Sequence, residues 1–110
     1  DIVVSIDPTI EKKIDALDAH ESQFYEWLPW VSGNLDEVPE GAAERRAWLA
    51  ERVKRNYSSL TDDMRAALRK WYGPEEAAGV DYAEAFEIAE YGRQPTEEEV
   101  RELFPMLGRE

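Results

Sequence analysis

The sequence predicts a mostly helical α/β fragment: a strand, a long amphipathic helix, two further helices, a short late strand and a C-terminal helix. Three observations carry this prediction, namely a β-branched run at the start, apolar residues at helical spacing over a long stretch, and helix start and stop signals in the second half. The 110 residues, 43% of them hydrophobic, are enough for a single domain spanning 1–110 and too few for two.

The first element is a short strand at residues 2–6. All of its residues except Ser5 are β-branched, and alternation places Ile2, Val4 and Ile6 on one face. Because a lone strand of this length is not stable, it needs a partner, either later in the chain or in a longer parent protein. The chain opens directly inside this apolar run without a Met, so we expect it to be cut from a longer protein.

The longest helical pattern runs from Ile10 to Trp30. Asp7 is placed to cap its first amides, Pro8 suits the first helical position, and Pro29 fixes its end. The apolar stripe follows spacings of three and four residues and consists of Ile10, Ile14, Leu17, His20, Phe24 and Leu28.

Two further helices, or one kinked helix, are predicted between residues 42 and 73, after a linker at 31–41. The first carries the stripe Leu49, Val53 and Tyr57. Thr61 is placed as the N-cap of the second, and Gly73 followed by proline ends it.

Residues 81–91 are ambiguous: their intrinsic propensity favours a helix, whereas the alternation of their side chains favours a strand. We predict a strand, because the first strand needs a partner. The final helix is clearer. Thr96 and Glu99 are spaced as a capping box, and the predicted apolar face consists of Val100, Leu103 and Phe104.

The chain is acidic, with a net charge of −12. Residues 42–73 carry eight bases and four acids, a balance of +4, so the remainder carries −16; we expect a solvated basic helix face packed beside acidic neighbours. This balance opposes partners such as bare nucleic acid or an anionic membrane, and no apolar run is long enough to span a bilayer. The absence of cysteine fits a cytoplasmic location.

Two separated segments carry a family resemblance. The run K-I-D-A-L-x-A-H-x-S-Q at residues 13–23 resembles the late helix of the LmbE/PIG-L family of zinc-dependent de-N-acetylases, and residues 82–107 resemble the end of such proteins. The resemblance implies a hydrolase acting on an N-acetylated amino sugar or a similar amide. It also implies that the first strand belongs late in a mostly parallel sheet, with the Ile10 helix packed across it, and it favours a strand at 81–91.

The family's metal site comes from an A-H-P-D-D segment and an H-x-x-H segment, and neither occurs in this sequence. The resemblance therefore implies the C-terminal portion of such an enzyme, inactive by itself, with no catalytic residue, metal ligand or cofactor of its own. Zinc is expected for the parent family. The implied partners are the remainder of the parent enzyme or a second copy of the chain.

His20, Ser22 and Gln23 are the residues of this signature that carry polar chemistry. His20 is open to three interpretations: a buried histidine on the apolar stripe, a role beside the substrate or behind the metal ligands, or direct metal ligation. One histidine without cysteine cannot supply the three or four ligands that zinc usually takes. Ser22 points away from His20 on a helix, so the two form no catalytic dyad, whereas Gln23 shares the face of His20 and could hydrogen-bond with it.

Trp27 and Trp30 flank Pro29 and are candidates for a subunit contact, since aromatic residues concentrate at interfaces. They also support an alternative function: a self-standing acidic helical module that binds a protein partner through its aromatic patch. A fragment of an enzyme should self-associate or aggregate, whereas an autonomous module should be monomeric or a defined dimer.

Overall fold

A computed structural model describes residues 1–108 of the chain. In agreement with the predicted fold class, it is mostly helical with two short antiparallel strands. The chain falls into two compact units: a strand unit, which contains residues 1–7 and 59–108, and a helical unit, Pro8–Ser58. The prediction of one domain over 1–110 stays a prediction, and its last two residues lie outside the described part.

The order of elements follows the prediction with one additional short helix. In chain order the elements are β1 (Ile2–Ser5), α1 (Ile10–Asp18), a π-helical turn (Gln23–Trp27), α2 (Leu28–Val31), α3 (Ala42–Ser58), α4 (Asp62–Tyr72), α5 (Pro74–Ala78), β2 (Ala83–Phe86) and α6 (Glu97–Leu103), with 3₁₀ turns at Asp7–Thr9 and Leu35–Glu37. Helix α5, which begins directly after the break at Gly73, is not among the predicted elements.

The two strands of the strand unit lie near opposite ends of the chain. β1 pairs antiparallel with β2, and Ile2 lies opposite Phe86. The predicted strand at 81–91 is therefore confirmed, although only four of its residues are extended. The partner that β1 requires is thus supplied by this chain itself.

Helix α4 covers the outer edge of β1. The amide of Ile6 donates to the carbonyl of Tyr82, so in this antiparallel ladder the backbone groups of Asp1 and Ser5 point away from β2. The indole Nε1 of Trp71 donates to the Asp1 carbonyl and the Ser5 amide donates to the Tyr72 hydroxyl, each at 3.0 Å. A helix thereby satisfies strand-edge groups that would otherwise be open to another chain.

Both faces of β1 are buried, each in its own apolar cluster. The first cluster contains Ile2, Val4, Trp71, Val100 and Leu107. The second contains Val3, Leu68, Ala77, Val80 and Ala83. Because α4 contributes Trp71 to one cluster and Leu68 to the other, it is the element that joins the core of this unit.

Asp7 does not cap the first helix, contrary to the sequence-based expectation. Its carboxylate instead accepts hydrogen bonds from the backbone amides of Asp81 and Tyr82, which lie just before β2. The bond from Tyr82 is 2.6 Å long. Thr9 occupies the N-cap position of α1 without a side-chain capping bond. A carboxylate accepting two amides from a distant segment is strongly bound, which explains why Asp7 is drawn away from the local cap.

In the helical unit, ion pairs join α1 to α3. Arg46 of α3 contacts Asp15 at 2.7 Å and Glu11 at 3.1 Å, and Lys54 contacts Glu11 at 2.9 Å. These bonds lower the pKa of Glu11, chiefly through Lys54 and then through Arg46. They fit the expected basic helix face beside acidic neighbours, and because they are solvent-exposed each contributes little to stability.

The long amphipathic helix is interrupted at Ala19–His20. α1 ends at Asp18, and a π-helical turn and the short α2 follow the break. The interruption moves the buried face by one residue, so Tyr25 and Pro29 are buried where the predicted stripe has Phe24 and Leu28. A π-helical turn holds more residues per turn than an α-helix, and therefore the i, i+3, i+4 spacing does not continue through it.

The capping box predicted for the last helix is present in α6. The Thr96 hydroxyl accepts from the Glu99 amide at 3.2 Å, and the Glu99 carboxylate accepts from the Thr96 amide at 2.8 Å. The Thr96 amide, followed by the Arg93 side chain, lowers the pKa of Glu99. One part of the prediction for this helix is wrong, since Leu103 is exposed and only Val100 is fully buried.

Replacing Thr96→Ala removes the hydroxyl that satisfies the Glu99 amide, so we expect a loss of ~1 kcal/mol in the free energy of unfolding. Urea unfolding followed by far-UV circular dichroism measures it. The control is Glu102→Ala at an exposed position of the same helix, with an expected change within ~0.5 kcal/mol. Equal losses in the two variants would show that the cap does not stabilise the chain.

The raised pKa values of two tyrosines lead us to expect that the folded chain loses stability at alkaline pH. Burial raises the pKa of Tyr72, and burial followed by the hydrogen bond to Asp18 raises the pKa of Tyr25, both from an ordinary value of 10.0. The folded state therefore keeps protons that the unfolded chain releases above pH 10. This stabilising contribution is complete below pH 10 and is lost as pH rises further towards the folded-state pKa values.

The measurement is the thermal midpoint as a function of pH across the ordinary tyrosine value. We expect the midpoint to fall more gently with rising pH in Tyr25→Phe than in the unchanged protein, because the substituted ring has no proton to lose. Tyr91→Phe, at a ring that is 91% exposed, should leave the slope as it was. If Tyr25→Phe keeps the full slope, Tyr25 is not a source of this pH dependence.

Candidate functional site

The most prominent surface feature of the helical unit is an aromatic groove. It encloses about 810 Å³, opens to solvent and is named the Trp groove below. Its lining residues come from the π-helical turn with the residue before it, from α2 and from the following 3₁₀ turn, and they are Ser22, Gln23, Glu26, Trp27, Trp30 and Leu35.

Three large apolar side chains in the Trp groove are open to water. Trp27 is 53% exposed, Trp30 67% and Leu35 45%. Val31, next to Trp30, is also exposed. Single exposed apolar residues are ordinary on protein surfaces, but several of them gathered around one groove are typical of a binding surface.

Gly33 brings the wall residue Leu35 back towards α2. With φ at 75° it adopts the left-handed conformation that ends many helices. The Asn34 amide donates to the Pro29 carbonyl at 2.9 Å, and the Gly33 amide donates to the Trp30 carbonyl at 3.1 Å. The chain therefore reverses directly after α2, and Leu35 joins the tryptophans around the groove.

Tyr25 anchors the π-helical turn on the unit's interior. Its ring is buried, and its hydroxyl donates to the Asp18 carboxylate at the end of α1. The ring lies 6.4 Å from that of Trp48, and the guanidinium of Arg45 lies 5.4 Å above it. Because Tyr25 is fixed inward, its neighbours Glu26 and Trp27 are held on the outer surface.

The three polar residues of the A-H-x-S-Q signature do not all lie at the same site. Ser22 and Gln23 both line the Trp groove, whereas His20 does not. The interpretation of His20 as a buried histidine on an apolar stripe is wrong, since its side chain is exposed at the break after α1. Its carbonyl accepts the amides of Gln23 and Phe24 at 3.1 and 3.0 Å, but within residues 1–108 no side-chain bond joins His20 to Gln23.

Trp27 and Trp30 lie on the surface, where the sequence analysis placed a candidate contact. Glu26 and Leu35 belong to the same groove and were not singled out from the sequence. For Leu35 no local signal exists, because the apolar contact that accompanies a glycine-terminated helix is made by the residue directly after the glycine, which here is Asn34. Nothing in the spacing distinguishes Glu26 from the other acids of this stretch.

The described residues do not form a metal-binding group. Within residues 1–108, His, Asp and Glu side chains do not assemble in groups of three that could hold a metal ion. The zinc expected for the resembled family therefore has no fitting donor set in this part of the chain. None of the helices between residues 1 and 108 has the length and apolar character needed to cross a bilayer.

Comparisons with protein-family models, with curated proteins and with solved structures find no match to this chain. The geometry thus defines the site in chemical terms only: an open, largely apolar groove with two indole rings, one carboxylate, one amide and one hydroxyl.

Proposed function

We propose that this chain is the C-terminal region of a metal-dependent N-deacetylase of the LmbE/PIG-L type, acting on an N-acetylated amino sugar or a similar amide. The observation that carries the proposal is β2. Helix propensity alone favours a helix at 81–91, the resemblance favours a strand, and Ala83–Phe86 is extended and paired with β1. The extended conformation of Ala83–Phe86 is the one that the resemblance favours, and it supports the proposal to that extent.

In this proposal the chain has a structural role. It supplies a strand pair and the helices that cover it, while the metal ligands and the catalytic base belong to a preceding part of the polypeptide. The chain by itself is then inactive, and its partner is the rest of the enzyme. We place the protein in the cytoplasm as part of the same proposal, without nucleic-acid partners.

The decisive experiment is to read the coding sequence that precedes Asp1 and then to assay the complete protein. We expect an A-H-P-D-D segment followed by an H-x-x-H segment, and zinc-dependent release of acetate from N-acetylglucosamine. A reading frame that lacks both segments would overturn the proposal. Acetate release by the 110-residue chain alone would contradict the division of labour between the two parts.

The signature residues provide a matched set of variants in that complete protein. Ser22→Ala and Gln23→Ala test a position beside the substrate, and His20→Ala tests the exposed histidine. If Ser22 and Gln23 lie beside the substrate, their variants raise KM or lower kcat for acetate release without changing zinc content. Glu102→Ala, at an exposed position of α6, serves as the control.

A second candidate function, the self-standing acidic interaction module, is favoured by one specific observation. Trp71 and Tyr72 close the outer edge of β1 at Asp1 and Ser5, so this edge is not left open as in a torn sheet. Sedimentation velocity and thermal unfolding of the 110-residue chain discriminate the two functions. A monomer or defined dimer with a sharp transition supports the module, and progressive self-association supports the enzyme fragment.

A further inference from the structure

We propose that the Trp groove is a docking site for a basic peptide segment that inserts an apolar side chain beside Trp27 and Trp30 and directs Lys or Arg towards the surrounding acids. This inference is independent of the deacetylase proposal, because it uses only the groove and the charges around it. Exposed tryptophans that line one groove are typical anchors of peptide recognition, in which an aromatic residue carries much of the binding energy.

The charge around the groove selects the sign of the partner. Residues 14–44 contain eight Asp and Glu and not one Lys or Arg. Glu26 lines the groove, and Glu21, Asp36 and Glu37 are exposed next to lining residues in the chain. A cationic segment would therefore meet one carboxylate in the groove and exposed acids in the segments that line it, which favours both its encounter and its orientation.

Three arginines of α3 have partners outside the groove lining. Arg45 donates to the Pro39 carbonyl and lies over Tyr25, Arg46 is paired with Glu11 and Asp15, and Arg52 lies 4.7 Å over Trp48. Within the described residues 1–108, Glu26 has no ion pair. Its carboxylate remains available to a partner's cation.

The same charges argue against a second copy as the occupant. In a symmetric dimer built on this groove, the same surface is present on both chains, so Glu26 and its acidic neighbours would face their counterparts. Like charges brought together at an interface are unfavourable. A basic peptide combines the apolar contact that the tryptophans offer with the charge that the acids require, including cation–π contact with the indole rings.

The test is a titration of the 110-residue chain with a short amphipathic peptide of Lys and Leu, monitored through the four indole N–H signals in NMR spectra. We expect the signals of Trp27 and Trp30 to shift and those of Trp48 and Trp71 to stay. A peptide of Glu and Leu with the same pattern should not bind. High salt should weaken the binding of the Lys and Leu peptide, because the attraction between exposed charges is screened.

Two variants and a control make the outcome specific. Trp30→Ala should weaken binding at least about tenfold, and Glu26→Gln should weaken it by roughly threefold at low salt and less at high salt. Tyr91→Ala, at an exposed aromatic residue of the strand unit, should not change it. Because Trp30 is largely exposed, an unchanged thermal midpoint will show that its variant folds.

Three results would overturn the proposal. Equal binding of the Glu and Leu peptide would show a purely apolar surface, and absence of any shift would show that the groove does not take basic peptides. Shifts of Trp27 and Trp30 that follow protein concentration without peptide would identify a second copy as the occupant.

Discussion

Replacing Trp71→Ala should cost ~3–5 kcal/mol of the free energy of unfolding, the largest effect expected for any single position described above. The Trp71 ring is buried in the cluster with Ile2, Val4, Val100 and Leu107. Its Nε1 donates to the Asp1 carbonyl, and the Arg101 guanidinium lies 5.0 Å from the ring. The substitution therefore removes volume from the core and also leaves the Asp1 carbonyl, at the edge of the strand, without its donor.

Urea unfolding followed by far-UV circular dichroism measures the loss for Trp71→Ala. Trp30→Ala provides the matched control, since it removes an equally large but exposed ring and should change stability by only ~0.5 kcal/mol or less. Trp71→Phe should lie between them, because it retains most of the volume but loses the donor to Asp1. Similar losses for the buried and the exposed tryptophan would mean that Trp71 does not hold the strand unit together.

Replacing Ile14→Ala should cost ~2–5 kcal/mol, and this is the largest effect expected in the helical unit. Ile14 is 0% exposed and lies on α1, the helix that packs on α3. Truncation removes buried methyl groups and leaves a cavity that the surrounding helices fill only in part. The ion pairs on the surface of the same helices cannot offset such a loss, since they are individually weak.

Lys12→Ala on the same helix is the control for Ile14→Ala. Lys12 is exposed, so its truncation should change stability by only ~0.5 kcal/mol or less. Ile14→Val should cost ~0.5–1.5 kcal/mol, because it removes one methylene and leaves a smaller cavity. A flat response across Ile14→Val and Ile14→Ala would show that the site collapses freely and that α1 is not closely packed.

Most of the fold can be predicted from the sequence because its signals are local. The caps at Thr61 and Thr96 depend on groups three residues away, and both are present in the structure. The β-branched run at residues 2–6 likewise needs only its own sequence to favour an extended chain. The strand at Ala83–Phe86 needed the resemblance as well, because helix propensity opposes it.

The features that could not be predicted depend on distant partners. Asp7 binds amides more than seventy residues away rather than those of its own helix. The break after Asp18 lies in a stretch whose residues all tolerate a helix, and it accompanies the burial of Tyr25 and its bond to Asp18. His20 lies in this break and is exposed, and after it the buried face differs from the predicted stripe by one residue.

The pairing of β1 with β2 affects how the chain is made. During synthesis the apolar strand Ile2–Ser5 emerges before its partner Ala83–Phe86, which follows some eighty residues later. At ~5–20 residues per second this delay is on the order of ten seconds. The ion-paired helices α1 and α3 can meet within that time. The nascent apolar strand meanwhile stays exposed, and exposed segments of this kind are bound by chaperones.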